Sequence, residues 1–323
     1  MRHYLLRRLL LFPPTLLLAS LAIFGAIRIL PGDIAQALTS GEDAKAVTAE
    51  SLDAIRERLG LNEPLPVQYG KWIWSMVNGE FGGRSLFDNE PLSQAVARRF
   101  PVTTQLALYA IVLAVTVSVP LGVLAAWQRN SPWDYLVRVM TIAGHALPNF
   151  WLGIVVILLL LVVFSWTPPL QYRTLLQDPS AHLQKVVWPA LILAWGLSAN
   201  ITRVTRSGML EVLRQDFIRT ARSKGLSEGA VLRRHALRNV LVPLVTLTGL
   251  QLGALISGAV VLESIFGIPG LGQGMVRAAT LRDYPVVQSF ALLLVFIMLG
   301  LNLVIDLLYG VMDPRISLGR ATR

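Results

Sequence analysis

Binding chemistry at a nucleotide phosphate needs a glycine-rich loop ending in Gly-Lys-Ser or Gly-Lys-Thr, whose backbone N–H groups cradle the phosphates while the lysine reaches them. The sequence has one Gly-Lys pair, Gly70-Lys71, and Trp72 follows it. A protease-type zinc site needs two histidines one helical turn apart beside a glutamate. His3, His145, His182 and His235 are scattered, and none belongs to an H-E-x-x-H. The chain contains no cysteine, so neither a disulfide nor a thiolate metal or redox site can form. These residues predict a non-catalytic protein with no cofactor and no metal of its own. Any uphill process it serves draws its energy from another subunit or from an ion gradient.

The residues whose types and spacing can do work are a group of cations in a greasy chain. Of 323 residues, 54% are hydrophobic and 15% charged, with a net charge of +10. Soluble domains carry about 25% charged residues. Between residues 219 and 243 lie Arg219, Arg222, Lys224, Arg233, Arg234 and Arg238, against the single acid Glu228. Upstream, Leu210, Leu213, Phe217 and Ala221 recur at i, i+3, i+7 and i+11, which predicts one apolar helix face. Gly225 permits a left-handed turn after that helix. Ser227 suits the N-cap and Glu228 the first turn of a second helix, which runs to Pro243. Such a segment can lie on anionic lipid headgroups, or it can be a knob for a groove on another protein. The tight turn favours the knob, because a loop valued only for its charge needs no two-helix geometry.

A helix needs about 20 mostly apolar residues to cross the hydrocarbon core. Six runs qualify: Leu9–Leu30, Val102–Ala126, Val139–Phe164, Val187–Ile201, Pro243–Ser264 and Val286–Tyr309. The fourth is the weakest, being short and holding Pro189, Gly196 and Asn200; extending it toward Met209 would bury Arg203 and Arg206 unless they face a partner or water. The first exceeds the 7–15 residue core of a signal peptide and reads as an uncleaved anchor. With the N-terminus inside, segments 1–8, 127–138, 202–242 and 310–323 share one side and hold 17 Lys and Arg against five acids. Cations collect on the cytoplasmic side, so both termini and the 202–242 loop are predicted cytoplasmic and the 31–101 loop external. The expected fold is an all-α polytopic membrane protein with six transmembrane helices in a single domain, 1–323.

Residues 31–101 exceed a simple connector. A helix is predicted from Thr48 to Gly60, with Leu52, Ile55 and Leu59 on one face; Val67–Val77 follows, with Trp72 and Trp74 suited to the membrane interface. The loop is either a packed cap or a platform for an external partner. Inside the spans, Asn149, Gln251, Ser257 and Asn302 are candidate pathway residues. Gly249, Gly253 and Gly258 allow close helix approach, and Gly249–Gly253 forms a GxxxG. Asp306, near the end of the last span, is expected to pair with an arginine or a backbone group. Gly267, Pro269, Gly270 and Gly272 form either an external gate or a re-entrant turn that caps the cavity.

The basic segment resembles the cytoplasmic loop of permease subunits of binding-protein-dependent ABC importers. Arg219-Thr220-Ala221 stands where the family has Glu-Ala-Ala, followed by Arg222-Ser223-Lys224 and Gly225, and Val240-Leu241-Val242-Pro243 ends the pattern. The Arg in place of Glu and the long spacer are similar to the dipeptide/oligopeptide/nickel branch. So are Arg28–Asp33, Leu59–Tyr69, Phe266–Gly272, Arg282–Val287 and Asp313-Pro314-Arg315. The resemblance spans essentially the whole chain. It implies the type I importer permease fold in a bacterial or archaeal cytoplasmic membrane. It implies a second homologous permease, two cytoplasmic ATPases that use ATP and Mg, and an external solute-binding protein. It further implies that Leu213, Phe217, Arg219, Thr220, Ala221, Arg222, Lys224, Gly225 and Leu226 form the segment that couples to the ATPases. Short peptides are the first expected substrate, with nickel chelates, opines and oligosaccharides as alternatives. Rival readings are an ion-coupled carrier, which needs inverted repeats and midplane ion sites, and a membrane sensor that docks a cytoplasmic signalling protein.

Overall fold

The computed structural model describes residues 2–29 and 62–312, which are helical almost throughout. In chain order the helices are α1 (Arg2–Ile29), α2 (Leu65–Val77), α3 (Leu92–Trp127), α4 (Pro132–Ala146), α5 (Asn149–Phe164), α6 (Pro179–Val212), α7 (Asp216–Ser223) and α8 (Glu228–Ala230). A π-helical turn, Val231–Ala236, leads into α9 (Leu237–Leu250), followed by α10 (Leu252–Phe266), α11 (Leu271–Thr280) and α12 (Tyr284–Met312). Among the described residues three stretches are long and apolar enough to cross a membrane, Arg8–Ile29, Leu92–Trp127 and Tyr284–Val304; the number rises to five if two broken helix pairs count as one span each. The Thr48–Gly60 helix, the Arg28–Asp33 motif beyond Ile29, the Asp313–Arg315 tail and the side chain of Asp306 lie outside what is described.

Several expected spans take a different form. The run Val139–Phe164 is not one helix: α4 ends at Ala146, Leu147-Pro148 intervene, and α5 leaves at 106° to α4. Proline explains the break, since it offers no N–H to the preceding turn and biases the residue before it toward extended backbone; Leu147 has φ −91° and ψ 125°. The short fourth run is the middle of the 34-residue α6, which carries Arg203 and Arg206 on its own turns. The fifth run divides at Gln251, which ends α9 and begins α10. The break also separates Gly249 from Gly253, so the GxxxG does not lie on one continuous helix.

The described chain forms two compact units. Among the described residues the larger comprises 2–10, 104–268 and 300–312. Here α6 packs on α4, α5, α9 and α10, and α5 packs on α10. Between helices in lipid, close van der Waals contact replaces the hydrophobic effect as the source of adhesion, which favours small residues. Gly122 of α3 shows the result: a β-carbon there would fall 2.5 Å from Cβ of Thr205 on α6. Arg206, also on α6, donates to both carboxylate oxygens of the fully buried Asp134 of α4, at 2.6 and 2.8 Å. Asp134 accepts the Asn130 N–H as well, at 3.0 Å.

Among the described residues the smaller unit comprises 11–29, 62–103 and 269–299. In it α2 lies along α1: Tyr69 and Ser20 share a hydrogen bond of 2.7 Å, and Phe24, Trp72 and Leu292 form a buried cluster. Trp72 is therefore a core residue, whereas Trp74 is exposed. Asp283, just before α12, accepts from the Ser85 hydroxyl at 2.6 Å and the Leu86 N–H at 3.2 Å.

Candidate functional site

The basic segment folds as helix, tight turn, helix. Helix α6 stops at Val212, and Leu213–Gln215 turn before α7 starts at Asp216. The single face expected over Leu210–Ala221 is thus split, with Leu213 as the cap of α6. In α7 the inward residues are Ile218 and Ala221, at 0% and 6% exposure, while Phe217 and Leu226 are each 41% exposed. Burying an isoleucine is worth about 1.5–3 kcal/mol, enough to fix which side of this two-turn helix faces in. Ile218 is not among the residues that the sequence pattern selects; the interruption at Leu213–Gln215 resets the helical phase that a count from Leu210 assumes. Arg219, Thr220 and Lys224 join Phe217 and Leu226 on the exposed side.

Gly225, at φ +77°, forms the left-handed turn. Its N–H donates to the Arg222 carbonyl at 2.9 Å, and the Leu226 N–H donates to the Ala221 carbonyl at 3.4 Å. This pair of bonds closes the C-terminal carbonyls of α7 and stops the helix. Arg222 reaches across the turn and binds Glu228 with two bonds, 2.8 and 3.2 Å. Ser227 begins α8 with extended backbone but makes no side-chain cap bond; Glu228 holds the elbow through Arg222 instead. By its letters Gly225-Leu226-Ser227-Glu228-Gly229 has the spacing of a serine-nucleophile elbow, yet that device needs a strand entering the turn, and here the helix α7 enters it.

A second polar feature lies inside the larger unit. A cavity of about 250 Å³ opens where the α4–α5 break and the α9–α10 break meet α6. Asn149 and Gln251, from the two breaks, both line it. Asn149 is wedged between two glycines: a β-carbon on Gly258 would fall 2.8 Å from its Nδ2, and one on Gly196 would fall 3.2 Å from its Oδ1. Asn200 also lines the cavity and donates to Gln251 Oε1 at 2.9 Å. In the sequence Asn200 only weakens the fourth span; its signal is an amide in an apolar run, the same signal that picks out Asn149. Ser257 and Asn302 are not brought to this cavity, and Ser257 donates to the Gly253 carbonyl within its own helix at 3.2 Å.

The glycine run after α10 is ordered by caps. In the larger unit Gly267 is the left-handed cap of α10, at φ +61°. In the smaller unit Gly270 begins α11, its carbonyl accepts from Arg99 at 3.1 Å, and the Leu271 N–H donates to Thr103 at 2.8 Å. Gly272 is buried in α11, and Pro269 precedes the helix.

Compared with known proteins, residues 118–318 match the binding-protein-dependent transport system inner membrane component, and residues 1–107 match that family's N-terminal component. The oligopeptide transport system permease protein AppB of Bacillus subtilis is 40% identical, over 98% of this chain and 100% of its own. The dipeptide transport system permease protein DppB of Escherichia coli is 37% identical, over 98% and 99%. A relative in Brucella suis, 41% identical over 98% and 99%, carries a provisional name as a peptide transport system permease protein.

Proposed function

The chain belongs to the family of binding-protein-dependent transport system inner membrane components, and from that premise we propose that it is the permease subunit of an ATP-driven importer of short peptides in the bacterial inner membrane. It crosses the membrane six times with both termini in the cytoplasm. The 31–101 segment is external and the 202–242 segment cytoplasmic. The chain supplies half of the pathway, a second homologous permease supplies the other half, and an external solute-binding protein delivers the solute. It catalyses no reaction; ATP and Mg²⁺ belong to two cytoplasmic ATPase subunits.

The observation that carries this reading is the elbow around Gly225. Ile218 and Ala221 face inward where α7 packs on the π-helical turn Val231–Ala236, while Phe217 and Leu226 stay exposed among Arg219, Thr220 and Lys224. A segment of this kind, packed on one side and offering two apolar side chains among cations on the other, suits a groove on a protein partner. A nucleotide-driven movement of that groove would pull on α6 and α9 at the two ends of the elbow. Peptides are the solute because the relatives that match over their whole length are named for them.

The test is to purify the tagged chain from bacterial membranes together with its partners and to reconstitute the assembly into vesicles that enclose ATP, with the binding protein added outside. ATP-dependent uptake of a short peptide, with two ATPase subunits and a second permease co-eluting, is expected. A chain that elutes without an ATPase, and vesicles that move no peptide, would overturn the proposal.

A further inference from the structure

The cavity between the two helix breaks has a polarity that its own hydrogen bonds dictate. Arg203 donates to Asn200 Oδ1 at 2.8 Å. A guanidinium can only donate, so Asn200 must turn its oxygen to Arg203 and its amide nitrogen to Gln251. Gln251 must then present its oxygen, which accepts at 2.9 Å. The relay Arg203–Asn200–Gln251 therefore ends in an N–H donor, Gln251 Nε2, and that donor is buried with no partner among the described residues. An unmet buried donor costs about 1–3 kcal/mol. It belongs to the one residue that separates α9 from α10; Gln251 lines the cavity, and its Nε2 lies covered just behind that wall.

The other polar side chains in this wall are His145, Asn149 and Asn200, and among the described residues no Asp, Glu, Lys or Arg lines it. A site meant for a carboxylate would be expected to show a cation. At about 250 Å³ the cavity is smaller than the roughly 300–1,000 Å³ that encloses a whole small molecule, so it meets one part of a solute at a time. Discontinuous membrane helices commonly place substrate-facing polar groups at their breaks.

We propose that Gln251, oriented by Asn200 and Arg203, donates a hydrogen bond to a peptide-bond carbonyl of the solute in transit. This inference rests on the peptide-importer reading above. Gln251 is the contact residue; Asn200 and Arg203 are positioning residues. A neutral donor that reads the backbone passes peptides of any side chain, leaving selection among them to other parts of the assembly.

The test uses the whole transporter, reconstituted with its partner permease, ATPases and binding protein, and labelled trialanine as the probe. Beside it runs trialanine with both peptide carbonyls replaced by thiocarbonyls, which are weaker acceptors, and trialanine with its C-terminus amidated. The wild type should carry trialanine faster than the thio analogue. Gln251→Leu should lower the trialanine rate about 2- to 10-fold, the range of one lost hydrogen bond, and bring the two rates together. The near-isosteric Asn200→Asp offers Gln251 only acceptors, turns its amide around, and should also abolish the preference. The binding protein is common to all versions, so it cannot cause a change in this ratio. Uptake by the wild type with the same ratio in both variants overturns the inference alone. A rate loss that follows amidation and ignores the thio exchange assigns the donor to the terminal carboxylate and also overturns it. No trialanine uptake even by the wild type overturns the peptide reading, and the carbonyl assignment with it.

Discussion

Arg206 and Asp134 are 72 positions apart in sequence, and their side chains meet through two parallel hydrogen bonds of 2.6 and 2.8 Å. Asp134 is fully buried and Arg206 is about one-fifth exposed. The pair is the polar bolt between α4 and α6. It also answers how a helix as long as α6 can carry an arginine so near its apolar middle.

Removing one partner of a buried pair leaves the other charge uncompensated, at about 3–5 kcal/mol. Asp134→Ala is expected to lower the thermal midpoint of the detergent-purified protein and its yield in membranes. Arg206→Lys loses the two-pronged geometry and should fall between Asp134→Ala and the wild type. The measurement is a thermal aggregation curve; a midpoint unmoved by Asp134→Ala would count against the bolt.

Gly225 is at φ +77°, a backbone that costs an L residue roughly 1–2 kcal/mol, least for asparagine. Gly225→Asn should keep most ATPase recovery in pull-down from membranes, while Gly225→Val should lose most of it. Equal recovery from the two would mean that the shape of the turn is immaterial to docking.

Phe217 and Ile218 are neighbours with opposite duties. Phe217→Ala and Leu226→Asp are expected to leave the amount of protein in the membrane unchanged and to reduce ATPase recovery and uptake about 10-fold or more, on the scale of a central apolar interface anchor. Ile218→Ala should instead lower the amount of folded protein, by the roughly 2–5 kcal/mol of an aliphatic truncation in a core. Immunoblots of membranes beside pull-downs separate the two effects.

Asp283 fixes the segment before α3 through Ser85 and Leu86. Asp283→Ala should expose the 80–91 stretch to protease added outside intact spheroplasts, and Ser85→Ala should do so more weakly, because the Leu86 bond survives. Protection unchanged in both would show that this stretch is held by other contacts.

The sequence is most informative where chemistry and geometry coincide. A glycine followed by a capping pattern announces the elbow, because few residues tolerate its backbone. Hydropathy is less informative about direction: Val139–Phe164 is apolar throughout, and a side chain's greasiness does not report that Leu147-Pro148 turn the chain. Pro148 is the available sign. The break at Gln251 is marked more faintly, since glutamine is an ordinary helix residue and only the flanking Gly249 and Gly253 weaken the run there. The inward side of α7 escapes the sequence pattern for a similar reason. Periodicity predicts a face only while the helix continues, and Leu213–Gln215 interrupt it.

Between Val231 and Ala236 the chain coils wider than the α-helix to either side, each bond spanning five residues where four would do. Length and angle are tied in such a spiral: one residue brings about 1.5 Å of advance and about 100° of rotation. Were the wide coil to tighten, the elbow beyond it would be screwed forward by about that step while Leu237–Leu250 kept its seat. Were the coil to migrate along the spiral, like a dislocation through a lattice, the same step would travel with it. The wide coil is a spare step of the spiral, set between the Gly225 elbow and α9.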